Sequence, residues 1–363
     1  MKTKYPRLWD AARVESYTVD ILDRHDRKIG SLDSVKGGSI VYSVDARIKT
    51  AGKLNAYSSA PIEWWADKRL QVWAHANGYS WSLGVFLPSS PLMNHAGDGF
   101  SYSIELSDKL TIIDQDALTA PLSLPKGTRL DRQVASMIRS VGETRYNITP
   151  STKTNRAPLT WKAGTSKLTV IDDILDYMDY FALHATPNGV LATYPYVLPR
   201  HRPVLWNLTD SKDSITAVEY SHQQDLDNLP NRVVYVAQST STVVNGVVVE
   251  GEKQKPLVAY AQDASSNWFG SFKNRGRWIT HVSTEVEAAT QQEIQKKAER
   301  QLLNAREPYT KVELEHGILP LELNQIIQFK TRDYNVRGSV RRTETTLEPG
   351  KLQKTTLRRV NLE

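Results

Sequence analysis

The chain has 363 residues, of which 40% are hydrophobic and 24% charged, and this length accommodates two to four domains that each bury a core. It contains no cysteine, which excludes disulfides, thiolate metal sites and cysteine nucleophiles, and its net charge of +6 is a mild excess for its size. The N-terminal residues lack the apolar segment of a signal peptide, and no stretch approaches the roughly 18 apolar residues of a membrane span.

Residues 1–110 predict a first β-rich domain. Alternating apolar and polar residues predict strands at 17–23, 38–49 and 100–106. The dipeptide at 77–78, Asn-Gly, predicts a tight hairpin turn between two further strands. Strands that recur with polar turns about every ten residues are typical of barrels and sandwiches. We therefore predict a small antiparallel β-barrel.

Residues 111–211 change character and predict an inserted α+β domain. Thr128, with Asp131 three residues later, predicts the start of a helix that Gly142 ends. Apolar residues that recur every three to four positions over 168–182 predict the most amphipathic helix of the chain.

Residues 212–363 predict a second β-barrel domain with one helix lying against it, at 290–306. Thr290 and Glu293 have the spacing of a capping box at the start of that helix. Two short valine-rich arms around the Asn-Gly pair at 245–246 predict a hairpin. The fold class is therefore α+β and β-rich, with two small antiparallel β-barrel domains and an α+β domain inserted between them.

The sequence offers no recognisable chemistry. None of the eight histidines is paired at the i, i+4 spacing of a helical zinc site, and no nucleophile elbow, phosphate-binding loop or dinucleotide fingerprint is present. Two Asp-x-Asp pairs, at 114–116 and 225–227, lack the glycine and distal glutamate of a calcium loop. We predict no catalytic, cofactor or metal site, and the arginines of the last strands indicate solvated strand faces more than a specific nucleic-acid surface.

Four tryptophans lie close together in the sequence: Trp64, Trp65, Trp73 and Trp81. Their rings would fill the core of a small barrel, lie at a subunit interface, or stack on a sugar or a base. The sequence leaves these three interpretations open. Under the third, Trp64 and Trp65 are the candidate binding residues.

Several segments, in this order, resemble the hub proteins at the tail tips of long-tailed bacteriophages. GGSIVYSVDARIK at 37–49 and WSLGVFLPSSP at 81–91 resemble the first hub domain, and WKAGTS at 161–166 resembles the middle domain. LPNRVVYV at 229–236 resembles the entry to the second barrel, and GKLQKTTLRRV at 350–360 resembles its closing strand. The likeness spans nearly the whole chain.

The resemblance implies a structural role rather than catalysis. Such hubs form homotrimeric rings at the distal end of the tail tube, and the two barrels of each chain match the hexameric tube. The implied partners are further copies of the chain, the distal tail protein, the tail tube, the tape-measure protein and tail-tip or spike proteins, in a virion assembled in the bacterial cytoplasm. The sequence ends soon after its last strand, without the hydrolase or receptor-binding extension of some relatives, so no enzyme activity is expected. A glycan- or receptor-binding tail-tip protein is the alternative, and a cell-wall hydrolase is a weaker one.

Overall fold

A computed structural model describes residues 8, 13–64, 67–155, 157–209, 214–225, 229–237, 241–244, 247–250, 257–286, 290–306 and 309–360. The first β-rich unit contains seven strands: β1 Glu15–Leu22, β2 Lys28–Ser31, β3 Ser34–Ser43, β4 Thr50–Ser58, β5 Arg69–Ala76, β6 Tyr79–Ala96 and β7 Gly99–Asp108. The middle unit contains α1 Leu110–Gln115, β8 Leu122–Leu124, α2 Leu130–Ser140, β9 Tyr146–Ile148, β10 Leu159–Trp161, α3 Lys167–Met178, β11 His184–Ala185 and β12 Leu191–Thr193.

The remainder of the chain is also rich in strands. It contains β13 Val204–Thr209, β14 Thr216–Asp225, β15 Arg232–Ala237, β16 Ser241–Val244, β17 Val247–Glu250, β18 Val258–Gln262, α4 Phe272–Arg275, β19 Thr280–Val286, α5 Gln291–Arg306, β20 Tyr309–His316, β21 Ile326–Lys330, β22 Asn335–Thr346 and β23 Gln353–Arg359. The α+β, β-rich class is therefore confirmed. Among these helices none is long and apolar enough to cross a membrane.

One thirteen-stranded sheet joins the beginning of the chain to its end. Its main strand order is β14-β20-β23-β22-β3-β4-β7-β6-β5-β1-β2, with β21 paired to β22 and β13 paired in parallel to β21. Strand β22 makes this connection. Its first half pairs with β21, from Asn335↔Lys330 to Ser339↔Ile326. Its second half pairs with β3, from Arg342↔Ser43 to Thr346↔Ser39. Strand β22 therefore joins the two β-rich units into one sheet.

The same junction is visible in the core. Side chains of β1, β3, β4 and β6 lie in one buried cluster with side chains of β20, β21, β22 and β23, among them Ile40, Leu54, Phe86, Phe329 and Leu357. Because alternate residues of a strand point to opposite faces, the period-two pattern directs one face of each strand into this cluster. The apolar surface of both units is thus buried together.

The two predicted barrels are not confirmed, since the strand order among the described residues does not close into a ring. The first unit nevertheless curls strongly: the Leu32 N–H donates to the Val19 carbonyl of β1, and the Asp33 N–H donates to the Tyr57 carbonyl of β4. The second half of β3, Ser39–Ser43, pairs with β22, so this part of its outer edge is not available to close a barrel. The predicted hairpin at Asn77-Gly78 is confirmed, with both residues at positive φ, 47° and 81°.

The middle unit has its own core, built mainly from α1, α2 and α3. Both predicted helices are present, and Gly142 follows the end of α2 at φ 86°. The predicted cap of α2 is wrong: Arg129 occupies the N-cap position without a side-chain cap, and the Thr128 hydroxyl donates to the Pro125 carbonyl at 2.7 Å. Asp131 instead accepts from the Ser151 N–H at 3.1 Å, so its carboxylate ties the helix to a later loop.

Helix α5 is present where it is predicted, and the Thr290 hydroxyl accepts from the Glu293 N–H at 3.2 Å. Its apolar face, however, does not pack on the last strands of the chain. Ile294, Ala298 and Leu302 pack on a separate three-stranded sheet, β18-β15-β19. A 16-residue helix with a single apolar stripe covers one small sheet. The predicted hairpin is seen as the pair β16–β17, and its turn lies outside the described residues. The domain division at 1–110, 111–211 and 212–363 stays a prediction.

Candidate functional site

Two tryptophans of the cluster, Trp64 and Trp81, lie in or against the shared core. Trp64 is half-buried and its ring meets Tyr102 edge-on, with 5.5 Å between centroids. Trp73 donates its Nε1–H to Asp20 Oδ2 at 3.1 Å, and Trp81 is buried. These contacts favour the core interpretation. Trp65 lies outside the described residues, so ligand stacking at Trp64 and Trp65 stays a prediction.

A buried network of charges joins the first β-rich unit to the middle unit, and the sequence analysis missed it. Arg69 Nη1 lies 2.8 Å from Asp26 Oδ1, and Arg69 Nη2 lies 2.5 Å from Glu143 Oε1. Lys109 Nζ contacts both acids, at 2.8 Å from Asp26 Oδ2 and 2.7 Å from Glu143 Oε2. These four side chains are only 0–4% exposed. Arg145 approaches Asp26 from the rim, at 2.8 Å.

The network also fixes the hairpin that links β11 to β12. Lys109 Nζ donates to the Gly189 carbonyl at 3.0 Å, and Arg145 Nη2 donates to the Asn188 carbonyl at 3.0 Å. Burial alone would raise the pKa of Asp26, but hydrogen bonds and charges from Lys109 and Arg69 outweigh it and hold this pKa below its usual value. Asp26 is therefore ionised, and ion pairs that are so buried favour one fixed geometry between the two units.

No metal centre is evident in the part of the chain that the structure describes, where no group of three or more His, Asp and Glu side chains is placed to hold an ion. The buried histidine, His316, is used structurally: its Nδ1 lies 2.7 Å from the Gly317 carbonyl and its Nε2 lies 2.8 Å from Thr355 Oγ1. A carbonyl only accepts, so Nδ1 carries the hydrogen and Nε2 accepts from the hydroxyl. Burial lowers the pKa of His316 to about 4.

The edges of the sheets differ in how they are protected. On the small sheet, Gln291 and Gln295 of α5 donate to the Val258 and Tyr260 carbonyls of β18, at 2.7 and 3.0 Å. On the large sheet, the second half of β6 pairs with β7, and the irregularity between Ser89 and Leu92 contains Pro91, which has no backbone N–H to donate to a further strand. Such devices prevent a further strand from adding to an edge.

Strand β19 has no such protection. Among the described strands it pairs only with β15, and its sequence, THVSTEV, contains neither proline nor lysine. The sheet face opposite α5 carries one cross-strand row of side chains: Val234, Tyr260 and Val282. Two of these are largely exposed, Tyr260 at 60% and Val282 at 56%. An unprotected edge beside an exposed apolar row is a surface suited to pairing with another chain.

No protein-family model and no curated protein matches the sequence. Solved structures do match over nearly the whole chain. A tail protein from Neisseria meningitidis MC58 has a TM-score of 0.65 at 12% identity, covering 95% of this chain and 96% of its own. The 43 kDa tail protein of prophage MuSo2 from Shewanella oneidensis has a TM-score of 0.64 at 10% identity, covering 94% and 98%.

A Francisella PdpA–VgrG complex also matches, with a TM-score of 0.55 at 8% identity over 98% of this chain and 53% of that chain. The chain therefore has the fold of phage tail proteins, and the resemblance noted in the sequence is confirmed. These matches indicate no catalytic family. At such low identity the likeness concerns the fold alone.

Proposed function

We propose that the chain is a structural hub of a bacteriophage tail, which forms a homotrimeric ring at the distal end of the tail tube and adapts the tube to the tail tip. One observation carries this proposal: two phage tail proteins match the fold from end to end, with at least 94% of each chain covered.

Three features of the chain support a ring. Two β-rich units in each chain act, in this proposal, as barrel-like tube subunits, so three chains present six units to a hexameric tube. The unprotected edge of β19 gives each copy a surface for a neighbouring copy. The buried charge network holds the first and middle units in one geometry, which a closed ring needs because angular errors accumulate around it.

The proposed partners are further copies of the chain, the distal tail protein, the tail tube, the tape-measure protein and tail-tip or spike proteins. A neighbour that is itself described as a PdpA–VgrG complex supports association with other tail-like components. The proposed location is the tail tip of a virion assembled in the host cytoplasm.

Mass measurement in solution tests the ring directly. We expect light scattering coupled to size exclusion to give three times the mass of one chain, and negative-stain images to show a ring with three-fold symmetry. A chain that remains monomeric at every concentration, and that is absent from purified tails, would overturn the proposal.

A glycan- or receptor-binding role is the second proposal, and it depends on Trp64 and Trp65. Replacing both by alanine separates the two roles, because loss of cell-wall binding with an intact ring would favour recognition over a purely structural part. Hydrolysis of the cell wall is the weaker alternative, and purified protein on a peptidoglycan gel would reveal it as clearing.

A further inference from the structure

A cleft of about 310 Å³ lies where all three parts of the chain meet. Its walls come from the β3–β4 connection, the residues after α3, the linker before β13, the C-terminal end of α5 and the last strands. The residues that matter here are Lys49, His184, Arg202, Arg341 and Arg358. This volume is at the small end of ligand pockets, so it suits one or two side chains or a small ion.

The lining of the cleft is cationic. Four of the described lining residues are lysine or arginine, one is histidine, and none is acidic. Elsewhere on the protein, basic and acidic side chains alternate in pairs, as in Lys311–Glu313 and Arg342–Glu344. The concentration of one charge sign in a recess therefore distinguishes this site from the rest of the surface.

The basic side chains are held in place chiefly by backbone carbonyls. Lys49 Nζ donates to the Val44 and Ala46 carbonyls at 2.9 and 2.7 Å. Arg202 donates from Nε to the Val197 carbonyl at 2.7 Å, and from Nη1 to the Asn324 carbonyl at 3.0 Å. Carbonyls orient a cation without cancelling its charge.

Aromatic rings and a second carbonyl complete this arrangement. The Arg202 guanidinium lies 4.8 Å from the ring centre of Phe181 and 5.6 Å from that of Tyr196. Arg358 Nη2 donates to the Asn304 carbonyl at 2.7 Å. Stacking on rings fixes the plane of the Arg202 guanidinium.

Three acidic groups around the cleft act on Lys49: Asp172, Asp45 and Asp108. Asp45 pairs with Arg341 at the rim and is 62% exposed. Asp172 lies behind Lys49, and burial raises its pKa to about 6. The cations also affect each other: besides burial, Arg341 contributes to lowering the pKa of Lys49, and Lys49 contributes to lowering that of His184.

We propose that this cleft is an oxyanion-binding site that takes the carboxylates of an acidic segment of another protein. Four basic side chains converge on a space for one or two acidic side chains, and charge complementarity selects glutamate or aspartate. The site is formed by residues of one chain, so it does not depend on the trimer. An acidic partner that docks here would contact all three units at once and hold them together.

The test uses the full chain and a blocked hexaglutamate peptide in titration calorimetry, with hexaglutamine as the neutral control. We expect saturable binding that weakens as salt rises, and none for hexaglutamine. Arg341→Gln is expected to weaken binding about tenfold or more, because a charge-assisted hydrogen bond to the carboxylate is lost. Its sequence neighbour Arg342, which lies outside the cleft and pairs with Glu344, provides the matched control Arg342→Gln.

Equal losses from Arg341→Gln and Arg342→Gln would overturn the proposal, since they would reflect net charge alone. Absence of hexaglutamate binding at low salt would also overturn it. Arg202→Gln is a second cleft variant, in case Arg341→Gln fails to fold, and thermal melting identifies that failure. Inorganic phosphate is titrated separately: displacement of the peptide by phosphate supports the oxyanion site, whereas tighter phosphate binding than peptide binding overturns its assignment to a protein partner.

Discussion

Asp26 and Arg69 form an ion pair at 2.8 Å although their side chains are only 1% and 3% exposed. Asp26 comes from the turn between β1 and β2, where it adopts a left-handed conformation at φ 61°, and Arg69 begins β5. The pair anchors the network that continues to Lys109 and Glu143. The boundary between the first and middle units is therefore ionic at its centre, and its stability depends on each charge keeping its partners.

Removing the charge of Asp26 should destabilise the protein strongly. Asp26→Asn keeps the shape and tolerates the left-handed backbone, but it leaves three cations with only Glu143 and the largely exposed Asp67 as acidic partners. We expect a loss of about 3–5 kcal/mol in the free energy of unfolding, measured by urea denaturation. Glu313→Gln, which breaks an exposed pair with Lys311, is the control and should cost less than about 1 kcal/mol. Similar costs for the two variants would contradict a structural role for the network.

The burial of His316 predicts that the free energy of unfolding decreases in acid. Its pKa is lowered from the model-peptide value of 6.5 to about 4 by burial, so the folded state binds its proton less readily than the unfolded state. Its contribution is complete above pH 6.5 and is lost as the pH falls from 6.5 through 4, by up to roughly 3 kcal/mol. Unfolding of the wild type and of His316→Gln, compared across this range, should show the steeper decline in the wild type. Parallel curves would show that another group is responsible.

The burial of Asp172 predicts that replacing it by asparagine stabilises the protein. Burial raises its pKa to about 6, and its Oδ1 has no hydrogen-bond partner among the described residues. A raised carboxyl pKa gives a contribution that is present below about pH 4 and is lost as the pH rises through 6. Asp172→Asn should therefore be more stable than the wild type at pH 7, by about 1–3 kcal/mol, with the difference vanishing near pH 4. A variant that is less stable at pH 7 would show that the carboxylate is needed in its charged form.

A single charged side chain on β19 should prevent another chain from pairing with its edge. Val282→Lys places a cation on the unprotected strand and should shift the proposed trimer towards monomer, as seen by light scattering over a concentration series. Ile29→Lys is matched to it, because Ile29 is 55% exposed on β2, beside Lys28. The Ile29 variant should assemble normally. A trimer that survives Val282→Lys would place the subunit contact elsewhere without opposing the ring itself.

Local features of the fold could be predicted from the sequence because their signals are local. The Asn77-Gly78 turn, the cap at Thr290 and the apolar stripe of α5 each depend on a few neighbouring residues. What α5 packs against was not predictable, since its apolar stripe fits any small sheet. The pairing of β22 with β3 was also missed, because nothing in either strand specifies a partner so distant in the sequence.

The charged sites were missed for a different reason. Lys109 and Glu143 have the residue types of an ordinary surface, and only the assembled units show that both are buried. One signal was available at Asp26, which lies in a tight turn that ends a strand pair. The cleft is similar: its basic residues are spread from Lys49 to Arg358, so no window of sequence contains it.

The junction of β3 and β22 also sets an order of events during synthesis. Residues 39–43 leave the ribosome long before residues 342–346, which supply their hydrogen-bonding neighbour. Until then the outer edge of β3 has no partner within its own chain, and an unpaired edge invites pairing with other nascent chains. Every copy of the chain must pass through this interval during synthesis, so dilution, slow expression or a chaperone should improve its yield.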